Sequence, residues 1–363
     1  MAFRLDELCK RVRTASDMME AFADEAECRR ILVAMVWPEG RRCPFCSSLR
    51  SYALVDRDHG CKARPGLYQC ADRKCRAQFT VTTRTPLHAT KLRLSVWLKA
   101  IWLSLQTDKG MSSPRLAELV GVTQATAWRM GHVIRLMMAS TRRLDGLVEA
   151  DEVMVGGKPR KNPADPDARR NKQGHTTKQP VLVAVQRPEA FHPGAPSSQA
   201  AAKPLDGLSA AALQAVIETV VAPTADLVTD QNAAFKVVGA GFATDASVNH
   251  SRREYVRDDM HVNSAEGFND RLRRTVAGVF HHISQKHREL YFDEVAFRWN
   301  QRVFCKIGFR RTRGGKVKRK PLYDRVAPIL QMCRLFPATI GRQIRRTHKG
   351  SIRLIPPKAA FGM

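Results

Sequence analysis

The chain has 363 residues, two to three times the roughly 150 of a typical single domain, so more than one folding unit is expected. Its 44% hydrophobic and 26% charged residues are ordinary for a globular protein and exclude disordered, collagenous and coiled-coil chains. The 61 Lys plus Arg outnumber 34 Asp plus Glu for a net charge of +27, which calls for a polyanionic partner, nucleic acid before all others. A membrane fits less well: no uninterrupted apolar run approaches about 18 residues, and the basic residues form no membrane-type amphipathic helix. The amino terminus meets Asp6 and Glu7 at once and does not read as a signal peptide.

Residues 1–40 read as a helical lead-in ending at Trp37-Pro38, and residues 41–85 as a cysteine-rich block. Five of the nine cysteines lie in that block, as Cys43-Pro44-Phe45-Cys46, Cys61, and Cys70 with Cys75. In a chain without a secretion signal, such pairs hold a metal more often than they form disulfides, so a reducing, cytoplasmic compartment is expected. Cys43, Cys46, Cys70 and Cys75 are the candidate ligands of one structural Zn²⁺, with all four positions filled and none left for a substrate. Cys61 reads as free. The alternation over Gln78–Thr82 predicts a strand.

From Leu94 to Leu105 the apolar residues recur every three or four positions, which predicts a helix. Ser113 and Pro114 then open a short helix, Gly121 breaks it, and Thr123 caps another. Residues 90–142 thus carry a helix-turn-helix pattern, whose second helix would present Gln124, Thr126 and Arg129 to DNA.

Short apolar runs at Leu147–Val155, Pro180–Val185 and Leu227–Thr229 predict strands. Between the first two lies a basic loop containing Lys158, Arg160, Lys161, Arg169, Arg170 and Lys172. The Ala/Pro/Ser-rich stretch Pro188–Pro204 reads as a surface insertion. Helices are predicted at Ala210–Val221, Ser264–Val276 and within His287–Val303. Residues 301–363 hold 17 Lys plus Arg and a single acidic residue, Asp324.

Asp151 and Asp230 sit on strand-like runs and Glu266 on a helix. Three such carboxylates could converge on a pair of divalent cations that clamps the attacking and leaving oxygens of a phosphodiester. Among 34 acidic residues any three are a weak signal; Asp151 reads equally as a turn residue and Glu266 as a solvated one.

Three boxes add to that signal. The first is Asp151-Glu152-Val153-Met154-Val155-Gly156-Gly157-Lys158; the second is His261-Val262-Asn263-Ser264-Ala265-Glu266-Gly267-Phe268, followed by Arg273-Arg274, Gly278 and His281-His282. The third runs from Tyr291 through Arg298, Asn300 and Arg302. Together with the cysteine block they resemble the bacterial insertion-sequence transposases of the DDE type that carry an N-terminal zinc ribbon. The resemblance spans about residues 20 to 302. It implies a multidomain chain: a small β zinc ribbon, an all-α helix-turn-helix, an α/β ribonuclease H-like catalytic domain over 145–303 with a mixed sheet and flanking helices, and a basic extension over 304–363.

The resemblance further implies Asp151, Asp230 and Glu266 as catalytic carboxylates that bind two Mg²⁺ or Mn²⁺. Asn263 is the reserve for the third position and His261 a further reserve. Lys158, Arg273 and Arg274 would contact DNA. The partners would be terminal inverted repeats and target DNA, handled by a homodimer or larger synaptic assembly in the bacterial cytoplasm, at the nucleoid. The expected activity is strand cleavage followed by strand transfer. Two other readings remain: a transposase-derived DNA-binding regulator without catalysis, and a ribonuclease H-like nuclease without transfer.

Overall fold

The computed structural model describes residues 5–55, 64–156, 178–230, 233–239, 241–248, 262–281, 283–311, 315, 317–340, 343–346 and 352–355. Cys61, the basic loop around Lys158, His261 and His282 lie outside these residues. The chain divides into two compact units, one formed by 1–138 with 327–363, the other by 139–326. No helix among the described residues is long and apolar enough to cross a membrane.

The first unit opens with three helices: α1 (Leu5–Arg11), α2 (Ala15–Ala21) and α3 (Glu25–Val36). A reciprocal capping box between Thr14 and Asp17 starts α2, satisfying backbone donors that have no partner inside the helix. A three-stranded antiparallel sheet follows, β1 (Ser51–Ala53), β2 (Tyr68–Cys70) and β3 (Gln78–Phe79). The strand expected over Gln78–Thr82 stops at Phe79, because the Thr80 amide donates to Thr83 Oγ1 (2.9 Å) and Thr83 N–H to the Thr80 carbonyl (3.0 Å), closing a turn. The predicted helix at Leu94 is α4 (Leu94–Gln106), with Leu98, Ile101, Trp102 and Leu105 buried. Then come α5 (Ser113–Val120) and α6 (Gln124–Met138), joined through Gly121 at φ 69°, a left-handed conformation that glycine adopts without steric cost.

The second unit is built on a five-stranded mixed sheet of order β6-β5-β4-β7-β8. Its strands are β4 (Leu147–Val155), β5 (Gln179–Gln186), β6 (Gln199–Pro204), β7 (Asp226–Asp230) and β8 (Thr244–Val248). β4 is central, antiparallel to β5 and parallel to β7. Helices α7 (Ala210–Val220) and α8 (Ala233–Gly239) cover one face, where Val148, Ala150, Leu182 and Ala184 meet Leu213, Ile217 and Phe235. On the other face lie α9 (Asn263–Thr275), which runs on into a π-turn over Val276–Phe280, and α10 (Arg288–Asn300). There Val153, Val181 and Val183 pack on Ala265, Phe268, Leu272 and Phe292. Burial on both faces explains the nearly unbroken apolar run of β5.

The stretch Pro188–Pro204 is not simply an insertion, since its last third is edge strand β6, paired along its length with β5. Alanine is a poor strand former, and composition therefore hid it. The small side chains of Ala200 and Ala202 are buried against the α10 side of the sheet. Asn300 closes the open edge: its Oδ1 accepts from Ala200 N–H (2.6 Å) and its Nδ2 donates to the Ala200 carbonyl (3.0 Å). An exposed row of strand donors and acceptors is thereby blocked. Past Asn300 the predicted helix gives way to a long hairpin, β9 (Arg302–Arg311) and β10 (Val317–Arg325).

The chain then re-enters the first unit as α11 (Pro328–Ala338), which packs on α3 and α4 through Ile329, Met332, Leu335 and Phe336. A short antiparallel pair, β11 (Gln343–Arg346) and β12 (Ile352–Ile355), closes the description.

Candidate functional sites

The four predicted cysteines meet. The Sγ atoms of Cys43, Cys46, Cys70 and Cys75 all lie within 4.8 Å of one another, with Cys43 to Cys75 at 3.8 Å and Cys46 to Cys70 at 3.5 Å. A tetrahedral ion with bonds to sulfur of roughly 2.3 Å has edges of about 3.8 Å, so four thiolates here suit Zn²⁺. The first knuckle turns through Ser47 N–H to the Cys43 carbonyl (2.9 Å) and Cys43 N–H to the Ser48 carbonyl (2.9 Å). The second is longer, and Asp72 folds it. Its carboxylate accepts from Lys74 N–H (2.9 Å) and its carbonyl from Arg76 N–H (3.0 Å). Beneath the cysteines, Trp37 stands edge-on to Tyr68 and Phe79, so the lead-in supplies part of this small core.

On α6, Gln124 and Arg129 are exposed and Thr126 is half-buried. Gln124 Nε2 donates to Ser113 Oγ (2.9 Å) across the turn, and Thr123 Oγ1 caps the helix by accepting from Thr126 N–H (3.3 Å) while sharing a hydroxyl hydrogen bond with Thr126 Oγ1 (2.9 Å).

The strand residues Asp151 and Asp230 arrive together through sheet register. On the parallel pair β4 and β7, Ala150 faces Thr229, and Asp151 and Asp230 are the next residue on each strand. Alternation puts Asp151 on the α9 side of the sheet, and Asn269 of α9 donates from Nδ2 to Asp151 Oδ2 at 2.6 Å. The other carboxylate oxygen accepts from Glu152 N–H (2.8 Å). Glu266 is exposed, one turn before Asn269 on α9. Asn263 is exposed at the first position of that helix, and Arg273 and Arg274 are exposed in its last turn, Arg274 held by Asp270 (2.8 Å).

Glu149 is the residue that sequence reasoning missed. It lies two positions before Asp151 on the same side of β4 and is fully buried. Its Oε2 accepts from the N–H groups of Ser264 (2.7 Å) and Ala265 (3.1 Å), the first turn of α9, while its Oε1 accepts from Arg187 Nε (2.6 Å). Val262 at the cap position offers no side-chain hydrogen bond, so a carboxylate from the sheet does that work and suits the positive end of the helix. The available signal was a charged residue inside an apolar strand, at the same parity as Asp151. Asn269 was missed as well; a mid-helix Asn one turn beyond Glu266 could have flagged it.

Asp151 and Asn269 thus place hard oxygen atoms together between β4 and α9. The Oδ1 atom of Asn269 is buried beside Asp151 with no hydrogen-bond partner among the described residues. A cation or its water would satisfy that acceptor.

Two family models match: an ISXO2-like transposase domain over residues 143–300, and a transposase zinc-ribbon domain over residues 23–78. No curated protein matches the chain. The first match covers the mixed sheet with α9 and α10, and the second covers the four cysteines with Trp37. The chain accordingly carries an N-terminal transposase zinc-ribbon domain followed by an ISXO2-like transposase domain, the pairing of an insertion-sequence transposase with an N-terminal zinc ribbon.

Proposed function

We propose that the protein is an active DNA transposase, cutting the ends of an insertion sequence and joining them to target DNA. The observation that carries this reading is the register of β4 and β7, which makes Asp151 and Asp230 successive residues on adjacent parallel strands, beside the helix that bears Glu266.

The sheet with helices on both faces acts as a ribonuclease H-like scaffold, with Asp151, Asp230 and Glu266 as the divalent-cation ligands. Two bound Mg²⁺ or Mn²⁺ would supply charge neutralisation at the attacking and leaving oxygens. The protein's own groups set the geometry. Glu149 fixes the start of α9, Asn269 fixes the Asp151 carboxylate, and Arg273 with Arg274 offers cations to phosphates. Water attacks the end phosphodiester and the P–O3′ bond breaks, leaving a free 3′-hydroxyl. That hydroxyl attacks a target phosphodiester with loss of its 3′ oxygen, one bond made for one broken, so no covalent enzyme intermediate is needed.

The zinc ribbon with α5 and α6, read as a helix-turn-helix, would recognise the terminal inverted repeats, with Gln124 and Arg129 toward DNA. Paired ends require at least a homodimer.

The test incubates the protein with Mg²⁺ or Mn²⁺, duplexes carrying the repeats that flank its own gene, and a plasmid target, with Asp230→Ala and Asn269→Ala in parallel. Nicked ends and joined products from the native protein are expected, none from Asp230→Ala, and reduced cleavage from Asn269→Ala with unchanged repeat binding. Cleavage without joining would establish a nuclease instead; binding without cleavage would establish a regulator.

A further inference from the structure

The hairpin β9–β10 is anchored at its base and, among the described residues, largely exposed beyond it. Near the base, Phe304 is buried and stacks edge-on with Phe191 and Tyr323. Its backbone exchanges hydrogen bonds with Gly194 (2.9 Å) and Ala195 (2.7 Å), and Arg302 lies 3.8 Å over the Trp299 ring. From Lys306 outward and back to Leu322, by contrast, most of the described residues are exposed, Phe309 at 72%. Six residues per strand at roughly 3.3 Å each make a free ribbon about 20 Å long. Two strands alone are marginal in water, so a ribbon of this length calls for something to lie against.

Register sorts its side chains. Lys306 pairs with Leu322, Gly308 with Lys320 and Arg310 with Lys318, and paired residues share a face. That face thus carries Lys306, Arg310 and Lys320. The opposite face carries Ile307, Phe309, Pro321 and Val317, with Arg311 and Arg319. Gly308 leaves room for Leu322 on the cationic face; a Cβ there would come within 2.8 Å of Leu322 Cδ1. Lys306, Arg310, Arg311, Arg319 and Lys320 meet no carboxylate among the described residues, and between 303 and 323 the sequence has no acidic residue at all.

We propose that the cationic face of this hairpin is a DNA-binding ribbon, a contact surface separate from the zinc ribbon and α6. A major groove about 12 Å wide admits a two-stranded ribbon, and a row of unpaired cations is what a duplex backbone attracts. Two copies of this face would repel each other, which disfavours it as a self-association surface. The proposal rests on the reading of the protein as a DNA transposase.

The experiment measures binding of the full chain to a fluorescent duplex of arbitrary sequence by anisotropy across a salt series. One variant neutralises the face (Lys306→Gln, Arg310→Gln, Lys320→Gln), and a second keeps its charge (Lys306→Arg, Lys320→Arg). The slope of log affinity against log salt should shrink by about 2 to 3 in the neutralised variant, at about 0.9 per lost phosphate contact, and stay at the native value in the charge-preserving one. A native slope in the neutralised variant overturns the proposal. So does equal loss in both variants, which would assign the effect to hairpin packing. Native duplex binding with loss of binding to phosphatidylserine vesicles would move the surface to membranes and overturn it too. Native protein that binds no DNA at any salt sinks the transposase reading itself, an outcome distinct from the rest.

Discussion

Both units carry ion pairs at the surface, Asp270 with Arg274 in the second among them, but the second also buries several. Ion pairs of the first unit among the described residues, Glu27 with Arg30, Glu39 with Arg42, Glu25 with Arg93 and Glu118 with Arg115, lie at the surface. In the second unit Glu149 with Arg187, Asp293 with Lys203 and Glu294 with Arg298 are buried on the α9 and α10 side of the sheet. One pairing appears in both versions. Glu25 of α3 caps α4 by accepting from Leu94 (2.8 Å) and Ser95 (3.1 Å) N–H, as Glu149 caps α9. Both helices lack a side-chain cap of their own. The difference lies in the surroundings: water can replace Glu25, whereas nothing can replace Glu149. Buried pairs add little net stability over apolar packing but fix one arrangement, and here the fixed helix carries Glu266 and Asn269.

Removing the buried cap should have the largest effect. Glu149→Ala leaves two helix donors without their carboxylate and takes one from Arg187, and is expected to cost about 3 to 5 kcal/mol; urea unfolding read together with exchange of the Ser264 and Ala265 amides checks this. A loss under about 1 kcal/mol would erase the contrast between the units.

Next comes Asp293, whose carboxyl burial pushes up to about 6 against the opposing pull of Lys203. Between about pH 4 and 6 the folded protein then holds a proton that the unfolded chain has released. Stability should fall as pH rises through that window, by up to about 3 kcal/mol, and Asp293→Asn should remove this component. Identical pH profiles for the two proteins in denaturant titrations would contradict it.

Glu25→Ala, the surface counterpart of the first substitution, should lower stability by only about 1 kcal/mol, read as a shift in the urea midpoint. If it matched Glu149→Ala, burial would not be the deciding variable. Smallest is Arg30→Ala, expected within about 0.5 kcal/mol of native and closer still in high salt, measurable by thermal melting at two ionic strengths.

Local chemistry was legible in the sequence where it was also local in space. The cysteine pairs, Gly121 between two helices and the apolar run of β4 each declare themselves within a few residues. Asp151 and Glu266 were legible within boxes and Asp230 at the end of an apolar run, but that Asp151 and Asp230 follow paired residues depends on β4 and β7 being neighbours, which no local pattern states. Glu149 was harder: its partners at 187, 264 and 265 are distant in sequence, and a glutamate in a strand run reads as an edge or an accident. Strand β6 was masked by its alanines, whose smallness serves packing by α10 and not strand propensity.

The placement of α11 has a consequence for how the protein is made. Translation delivers α3 and α4 long before α11, and the whole mixed sheet and hairpin emerge in between. Domains usually fold in the order of synthesis. Here the unit begun first is the last to be completed, since the surface of α3 and α4 that Ile329, Met332, Leu335 and Phe336 cover stays bare until the ribosome has passed residue 338. A message cut short anywhere in the second unit would yield a nascent chain with that apolar surface uncovered, a substrate for chaperones and proteases and not a free-standing DNA-binding fragment.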